Sequence, residues 1–188
     1  MIKLMLTPNE EKYLEKIPAG RTASVWPFDP KTREVAKEII DQINTAIPEL
    51  EVLHMGATAL GIAGQNDLDL YILSSGEKFE KYLSQIEKLF GQRVQGISIY
   101  KWEFAKDGFE VELYLADPVY PEMKRQLKVF EILSNDAALL REYEKIKLSS
   151  NRAPFRDYMR KKLDNPVPTR CTIRANCTAS ISCAIVEL

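Results

Sequence analysis

The sequence predicts an α+β fold, with a small mixed β-sheet, flanking helices and a helical C-terminal part. Two stretches, residues 67–73 and 109–115, alternate hydrophobic and polar side chains as half-buried strands do. Hydrophobic residues recur at steps of four between positions 35 and 47, which places them on one buried face of a helix. From Pro121 onward the pattern is helical, so strands are expected in the first two thirds of the chain.

The N-terminal region carries two helix start signals. Residues 7–10, Thr-Pro-Asn-Glu, form a capping box with proline at the first helical position, and predict a helix to about Ile17. Asp29, followed by a proline, predicts a second helix start, and Pro48 ends that helix. Trp26, between the two helices, is expected to anchor this segment by packing into the core.

The middle of the chain predicts strands and one more helix. A strand around Val52 leads into a turn of small residues, and the strand at 67–73 follows after a short loop. A turn of serines and glycine then starts a helix near Glu77. Residues 97–104 alternate loosely, and the Lys-Asp-Gly sequence at 106–108 predicts a hairpin turn that pairs them with the strand 109–115.

The last third predicts three helices, at 121–133, from 135 or 136 to 148, and at 155–163. We expect an N-terminal helical extension at 1–24, one main domain at 25–164, and a tail at 165–188. The tail begins with a proline-containing linker and holds all three cysteines, which argues against a disulfide framework in the main domain.

Composition narrows the class of protein. The 188 residues are 45% hydrophobic and 28% charged, as is usual for a soluble globular domain, and the net charge is −1. A general electrostatic footprint for nucleic acid is therefore not indicated. No hydrophobic run reaches the roughly 20 residues that span a bilayer, and the first residues are too short for a signal peptide. We expect a cytoplasmic protein with no membrane partner.

Two carboxylates on one strand predict a metal site. Asp67 and Asp69 are two residues apart, so on a strand both side chains point to the same face. Neighbouring carboxylates repel each other unless a cation lies between them, and oxygen ligands of this kind suit Mg²⁺. Glu112, or its neighbour Glu110, can supply a third carboxylate from the strand 109–115. Three such groups can hold two Mg²⁺ ions about 3.5–4 Å apart and support in-line nucleotidyl transfer.

The segment before these carboxylates resembles a known family. Residues 54–64, His-Met-Gly-Ala-Thr-Ala-Leu-Gly-Ile-Ala-Gly, are similar to the His-x-Gly-Ser-Thr-Ala-Val-Pro-Gly-Leu-Ala wording of the GrpB-like family. That family belongs to the nucleotidyltransferase superfamily of the DNA polymerase β type. The resemblance runs from about Trp26 to about Lys162. It departs at Ala57, where the family has serine, and at residues 110–112, where many relatives have a His-x-His pair.

The resemblance implies a nucleotidyltransferase fold and a Mg²⁺-dependent transfer of a nucleoside monophosphate from a nucleoside triphosphate to an acceptor hydroxyl group. The implied catalytic and metal-binding residues are Asp67, Asp69 and Glu112. The implied nucleotide-binding residues are Gly56, Ala57, Thr58, Tyr143 and Lys147, of which the last two match a Tyr-x-x-x-Lys pattern of the family.

A second function remains open at this point. GrpB-like domains also occur joined to a kinase of coenzyme A synthesis, which implies a non-catalytic nucleotide- or partner-binding module on the same fold. Ala57 favours this alternative because it lacks the serine hydroxyl group, whereas the intact carboxylates favour catalysis. His54 is the single histidine of the chain, and we expect it to be structural or to orient a substrate.

Overall fold

A computed structural model of the protein describes residues 8–96 and 99–163. The predicted linker and cysteine-containing tail lie outside the described residues. The chain divides into two compact units. One is Pro27–Met123, and the other combines the segment up to Trp26 with the segment from Lys124 onward. The N-terminal segment thus belongs to the same unit as the C-terminal helices, while the boundaries drawn from the sequence stay a prediction.

The described residues form seven α-helices and five strands, in an order that follows the sequence pattern closely. They are α1 (Pro8–Lys16), α2 (Lys31–Ala46), β1 (Glu51–Met55), α3 (Gly56–Leu60), β2 (Leu68–Leu73), α4 (Phe79–Phe90), β3 (Gln95–Gly96), β4 (Tyr100–Lys106), β5 (Phe109–Ala116), α5 (Pro121–Asn135), α6 (Ala137–Leu148) and α7 (Phe155–Leu163).

The strands form one mixed sheet in the order β1-β2-β5-β4-β3. β2 and β5 are parallel, and the other neighbouring pairs are antiparallel. The predicted α+β class with a small mixed sheet is therefore confirmed. The parallel pair lies at the centre of the sheet and brings residues that are more than 40 positions apart in sequence into direct register.

One face of the sheet packs against α2 and α4, and this is the main hydrophobic core of the unit Pro27–Met123. The apolar residues of α2 at steps of four are buried, as predicted. The fully buried side chains of the core from the sheet and both helices are Ile39, Ile43, Leu68, Leu70, Ile72, Ile86, Trp102, Leu113 and Leu115. The alternation of β2 and β5 sends their polar residues to the opposite face.

The hairpin between β4 and β5 turns at Asp107 and Gly108, as predicted. Both residues have positive φ, of 51° and 86°, which is the signature of a two-residue type I′ turn. The turn pairs Lys106 with Phe109 and thereby fixes the register of the whole hairpin. In that register Glu103 lies opposite Glu112.

The second unit is built around its own hydrophobic cluster. Leu14 and Ile17 of the N-terminal segment pack with Tyr158 and its neighbours on α7. The Arg156 guanidinium donates to the Ile17 carbonyl oxygen at 2.9 Å, and so ties α7 to the end of α1.

Two expectations need correction. The turn of small residues after β1 is a short helix, α3, because Ala57, Thr58 and their neighbours continue in helical geometry until Gly61 ends it in a left-handed conformation. Trp26 does not anchor the core, since 57% of its surface is exposed.

No helix within the described residues is long and apolar enough to cross a membrane.

The two tryptophans allow a test of this core. Trp102 is fully buried, and its Nε1 donates to the Gly91 carbonyl oxygen at 3.1 Å. We expect Trp102→Phe to lower the free energy of unfolding by about 1–3 kcal/mol, because it removes this bond and leaves a cavity where the buried indole packs. Urea titration followed by circular dichroism measures the change. Trp26→Phe is the matched control and should stay within about 0.5 kcal/mol; equal losses would contradict the assigned core.

Candidate functional site

The polar face of the sheet carries two rows of side chains across β4, β5 and β2. The first, which we call the carboxylate row, consists of Glu103, Glu112 and Asp69, each paired in register with the next. The second, the lysine–tyrosine row, consists of Lys101, Tyr114 and Tyr71, paired in the same way. Register pairing puts the members of each row on one face of the sheet, with neighbouring Cβ atoms roughly 5 Å apart.

Asp69 lies directly against the backbone of Gly56. Gly56 has a φ of +74°, and a Cβ atom added there would lie 2.0 Å from the Asp69 Oδ2 atom. The resemblance implied a nucleotide contact at this glycine, and in the structure the group that approaches its backbone is the Asp69 carboxylate. Asp67 lies one residue before β2 and is partly buried.

A chain of two hydrogen bonds fixes the segment that leads to these aspartates. The Thr58 hydroxyl group donates to the Asp67 main-chain oxygen at 3.0 Å. The His54 Nε2 atom lies 2.9 Å from the same hydroxyl oxygen, and must be the donor because the Thr58 proton is already used. Burial, together with the nearby charge of Arg33, lowers the pKa of His54 to about 4. The imidazole is therefore neutral at pH 7 and holds α3 to β1, a structural role.

Both oxygens of Glu112 are engaged. The Lys101 Nζ atom donates to its Oε1 at 2.9 Å, and the Tyr114 hydroxyl group donates to its Oε2. The Lys101 ammonium also lies 2.6 Å from a carboxylate oxygen of Glu103. Burial lowers the pKa of Lys101, but its hydrogen bonds to the two glutamates outweigh burial and the net pKa is raised. Lys101 is thus a charged residue inside the site.

The charges of all three predicted carboxylates affect the pKa of Tyr71. Its ring stacks on that of Tyr114 with centroids 4.7 Å apart. Burial raises the pKa of Tyr71 well above its usual value, and the charges of Asp69, Glu112 and Asp67 raise it further, in that order. The three carboxylates therefore lie within electrostatic reach of one phenol.

The fit of a metal ion differs between these carboxylates. Asp67 and Asp69 offer the oxygen donors that Mg²⁺ takes. Glu112 does not fit as a ligand while Lys101 holds it. A Mg²⁺ ion about 2.1 Å from Oε1 would lie within about 5 Å of the ammonium, where the repulsion is about 7 kcal/mol at an effective dielectric constant near 20. Among the residues that the structure describes, no three His, Cys, Asp or Glu side chains converge as a metal ion requires.

The remaining predicted residues are placed as follows. Ala57 is buried in α3. Glu110 is exposed and lies two residues before Glu112 on the same strand. Tyr143 and Lys147 lie on α6, in the other unit. Lys147 is buried, with its Nζ atom 3.5 Å from the Tyr158 hydroxyl oxygen and 5.1 Å from the ring centroid of Tyr143. Its assignment to nucleotide binding stays a prediction.

Sequence reasoning missed Lys101, Tyr71 and Tyr114. The signal was present for Lys101, because the predicted turn at 106–108 fixes which residues of the hairpin face each other. A two-residue Asp-Gly loop places Lys101 opposite Tyr114 and two residues from Glu103, hence beside Glu112. Tyr71 had no such local signal, since its neighbour is set by the parallel pairing of β2 with β5.

Comparisons with known proteins agree with the fold. A family model described as GrpB protein matches residues 22–165. The crystal structure of conserved protein GrpB from Enterococcus faecalis matches with a TM-score of 0.65 and 14% identity, over 81% of this chain and 99% of that one. This likeness is one of fold. No curated protein matches the sequence.

Two structures of the Cid1 uridylyl transferase are more distant. One, described for its RNA terminal uridylyl transferase activity, has a TM-score of 0.45 and 18% identity over 72% of this chain and 40% of that one. The other, the poly(U) polymerase with bound MgGTP, has a TM-score of 0.40 and 16% identity over 66% of this chain and 44% of that one. At these TM-scores they say nothing about the function of this chain.

The contact between Gly56 and Asp69 predicts that one methyl group added at Gly56 strongly lowers the stability of the fold. Gly56→Ala would combine left-handed backbone strain of about 1–2 kcal/mol with a clash against the Asp69 carboxylate. Gly108→Ala is the matched control, because its φ is +86° and nothing lies within 4 Å of the added atom. We expect thermal unfolding to show a clearly larger loss for Gly56→Ala. Asp69→Ala in the same chain should recover part of that loss; equal losses for the two glycines would contradict the contact.

The lowered pKa of His54 predicts a pH dependence of stability. Between the unfolded pKa near 6.5 and the folded pKa of about 4, the unfolded chain binds the proton more tightly. Stability is therefore complete above pH 6.5 and falls as the pH drops toward 4, by no more than about 3 kcal/mol from this residue. His54→Gln keeps an N–H donor and should flatten that slope. Because His54 is the single histidine, its NMR titration is unambiguous, and an ordinary pKa would refute the prediction.

Proposed function

This chain belongs to the GrpB family, and on that premise we propose that it is a Mg²⁺-dependent nucleotidyltransferase-like protein. It would transfer a nucleoside monophosphate from a nucleoside triphosphate to an acceptor hydroxyl group. The observation that carries the proposal is the in-register pairing of Asp69 with Glu112 on one face of the sheet, directly against Gly56. This arrangement supports phosphate chemistry because a divalent ion bound by neighbouring carboxylates takes its remaining ligands from phosphate oxygens.

Each residue has a distinct part in the proposal. Asp67 and Asp69 would hold Mg²⁺, which neutralises phosphate charge when bound. Gly56 and Ala57, at the start of α3, would face the β- and γ-phosphates with their main-chain atoms, as a backbone with small side chains can. Thr58 supports this segment through its hydrogen bond to the Asp67 carbonyl oxygen, so its hydroxyl group is committed to the fold.

The reaction follows from these positions. The acceptor oxygen would attack the α-phosphorus atom, and the bond from that atom to the oxygen bridging the β-phosphorus would break. Pyrophosphate leaves with the bonding electron pair. The proton of the acceptor hydroxyl group would pass to a carboxylate, for which Glu112 is the candidate base. Glu112 already accepts hydrogen bonds from Lys101 and Tyr114, so one of its oxygens would have to exchange that partner for the acceptor hydroxyl group.

One observation favours a second candidate function. Lys101 and Tyr114 engage both oxygens of Glu112, and Ala57 has no hydroxyl group to offer a phosphate. A protein with these features binds a nucleotide at Asp67 and Asp69 without transferring it. This non-catalytic module shares the fold and the nucleotide with the first candidate, and differs in releasing no pyrophosphate.

Calorimetric titration with ATP, CTP, GTP and UTP, each with Mg²⁺, tests the proposed binding. We expect one nucleotide to bind to the wild type and Asp67→Asn/Asp69→Asn to lose at least tenfold in affinity. Asp107→Asn, at the exposed hairpin turn, is the matched control and should bind as the wild type does. Binding that persists in the double variant, or no binding of any nucleotide, would refute the proposal.

A pyrophosphate-release assay separates the two functions. Release in the presence of hydroxyl acceptors, abolished in Asp67→Asn/Asp69→Asn, supports transfer. Nucleotide binding without release, across small-molecule, RNA and protein acceptors, supports the binding module.

A further inference from the structure

Lys101 is an unusually buried ion-paired cation. Its side chain takes part in two ion pairs and is only 9% exposed. The cations of five other ion pairs are between 32% and 76% exposed. A lysine loses much hydration on such burial, so it is retained only where nearby negative charge compensates.

The carboxylate row supplies that charge in excess. Glu103, Glu112 and Asp69 lie side by side across three strands, and like charges that face each other across strands destabilise a sheet. Lys101 contacts the first two, at 2.6 Å and 2.9 Å, from the adjacent row. The third member, Asp69, lies on the far side of Glu112 from β4, two residues from Asp67 in sequence. Glu103 and Glu112 are thus the lysine-neutralised part of the row.

Tyr114 keeps Glu112 in the lysine-neutralised part. Its hydroxyl group donates to the Glu112 oxygen that Lys101 does not contact, and its ring is held by stacking on Tyr71. The Lys101 ammonium lies 5.4 Å from the same ring, so both rows restrain the cation. Glu112 therefore has a fixed cationic partner before any ligand binds.

We propose that Lys101 is a resident cation that takes the place of a second divalent metal ion, so that this chain binds a single divalent ion, at Asp67 and Asp69. The proposal deepens the proposed function and rests on it for the assignment of the aspartates as ligands. Lys101 is a specificity-determining residue: it fixes how many metal ions the site accepts, and it keeps Glu112 out of the ligand set.

Mn²⁺ binding, followed by electron paramagnetic resonance of the free ion, tests this directly. We expect the wild type to bind one Mn²⁺ ion, Asp69→Asn to lose it, and Glu112→Gln to bind within twofold of the wild type. Lys101→Gln should gain a second Mn²⁺ ion or at least tenfold in affinity, because Glu112 is released as a ligand. Lys101→Gln/Glu112→Gln should lose that gain.

The controls separate a lost ion pair from a lost resident cation. Lys106→Gln breaks another ion pair of β4, with Glu38 at 3.1 Å, and should leave Mn²⁺ binding unchanged. Lys101→Arg keeps the positive charge and should also behave as the wild type. Circular dichroism checks folding, and Lys101→Met is the second variant if Lys101→Gln does not fold. The proposal is overturned if Glu112→Gln weakens Mn²⁺ binding as Asp69→Asn does, or if Lys101→Gln and Lys101→Met fold and neither gains Mn²⁺ binding.

The two proposals can fail separately. In one case Lys101→Gln gains Mn²⁺ binding, the added Glu112→Gln removes that gain, and the protein binds no nucleotide. This outcome would refute the proposed function and uphold the role of Lys101. Nucleotide binding that depends on Asp67 and Asp69, with no effect of Lys101→Gln on Mn²⁺, would do the reverse.

Discussion

The parallel pairing of β2 with β5 is the constraint on which this structure depends. Both strands are buried on the helix-facing side, where Leu70 and Leu113 lie in the core. Because side chains alternate, fixing these two residues inward also fixes Asp69 and Glu112 side by side on the other face. A shift of one residue would bury the carboxylates and expose the leucines. The packing of the hydrophobic core therefore determines the relative positions of the two carboxylates. No other interaction is needed to place them side by side.

The carboxylate row concentrates negative charge on one face of the sheet, and its two ends have different surroundings. One end of the carboxylate row is neutralised by a lysine from the same sheet, while the other end faces a glycine backbone that has no side chain. The first end is closed by internal hydrogen bonds, and the second is where the proposed metal ion would bind. Tyr71 lies beside both, so the charges of Asp69, Glu112 and Asp67 add to the effect of burial in raising its pKa.

Much of the fold could be predicted from sequence because its signals are local. Capping residues, prolines and the steps of four in α2 gave the helices, and the Asp-Gly turn gave the hairpin. The family resemblance pointed to Gly56, Asp67 and Asp69. The pairing of β2 with β5 has no local signal, since it joins strands separated by a helix and a hairpin. For that reason Tyr71 was missed, and the exposure of Trp26, which depends on tertiary packing, was wrongly predicted.

Because β3 is short, it covers only part of the outer edge of β4. β3 pairs only with Tyr100 and Lys101, so the rest of β4 has no further strand neighbour on that side within the described residues. An open strand invites the addition of a strand from another molecule. Glu103 and Lys106 place charges along this stretch, and a second strand would have to bring its own side chains beside them. Glu103, which helps to hold the internal lysine, thus also places a charge on this edge strand, and charged side chains there oppose the addition of another strand.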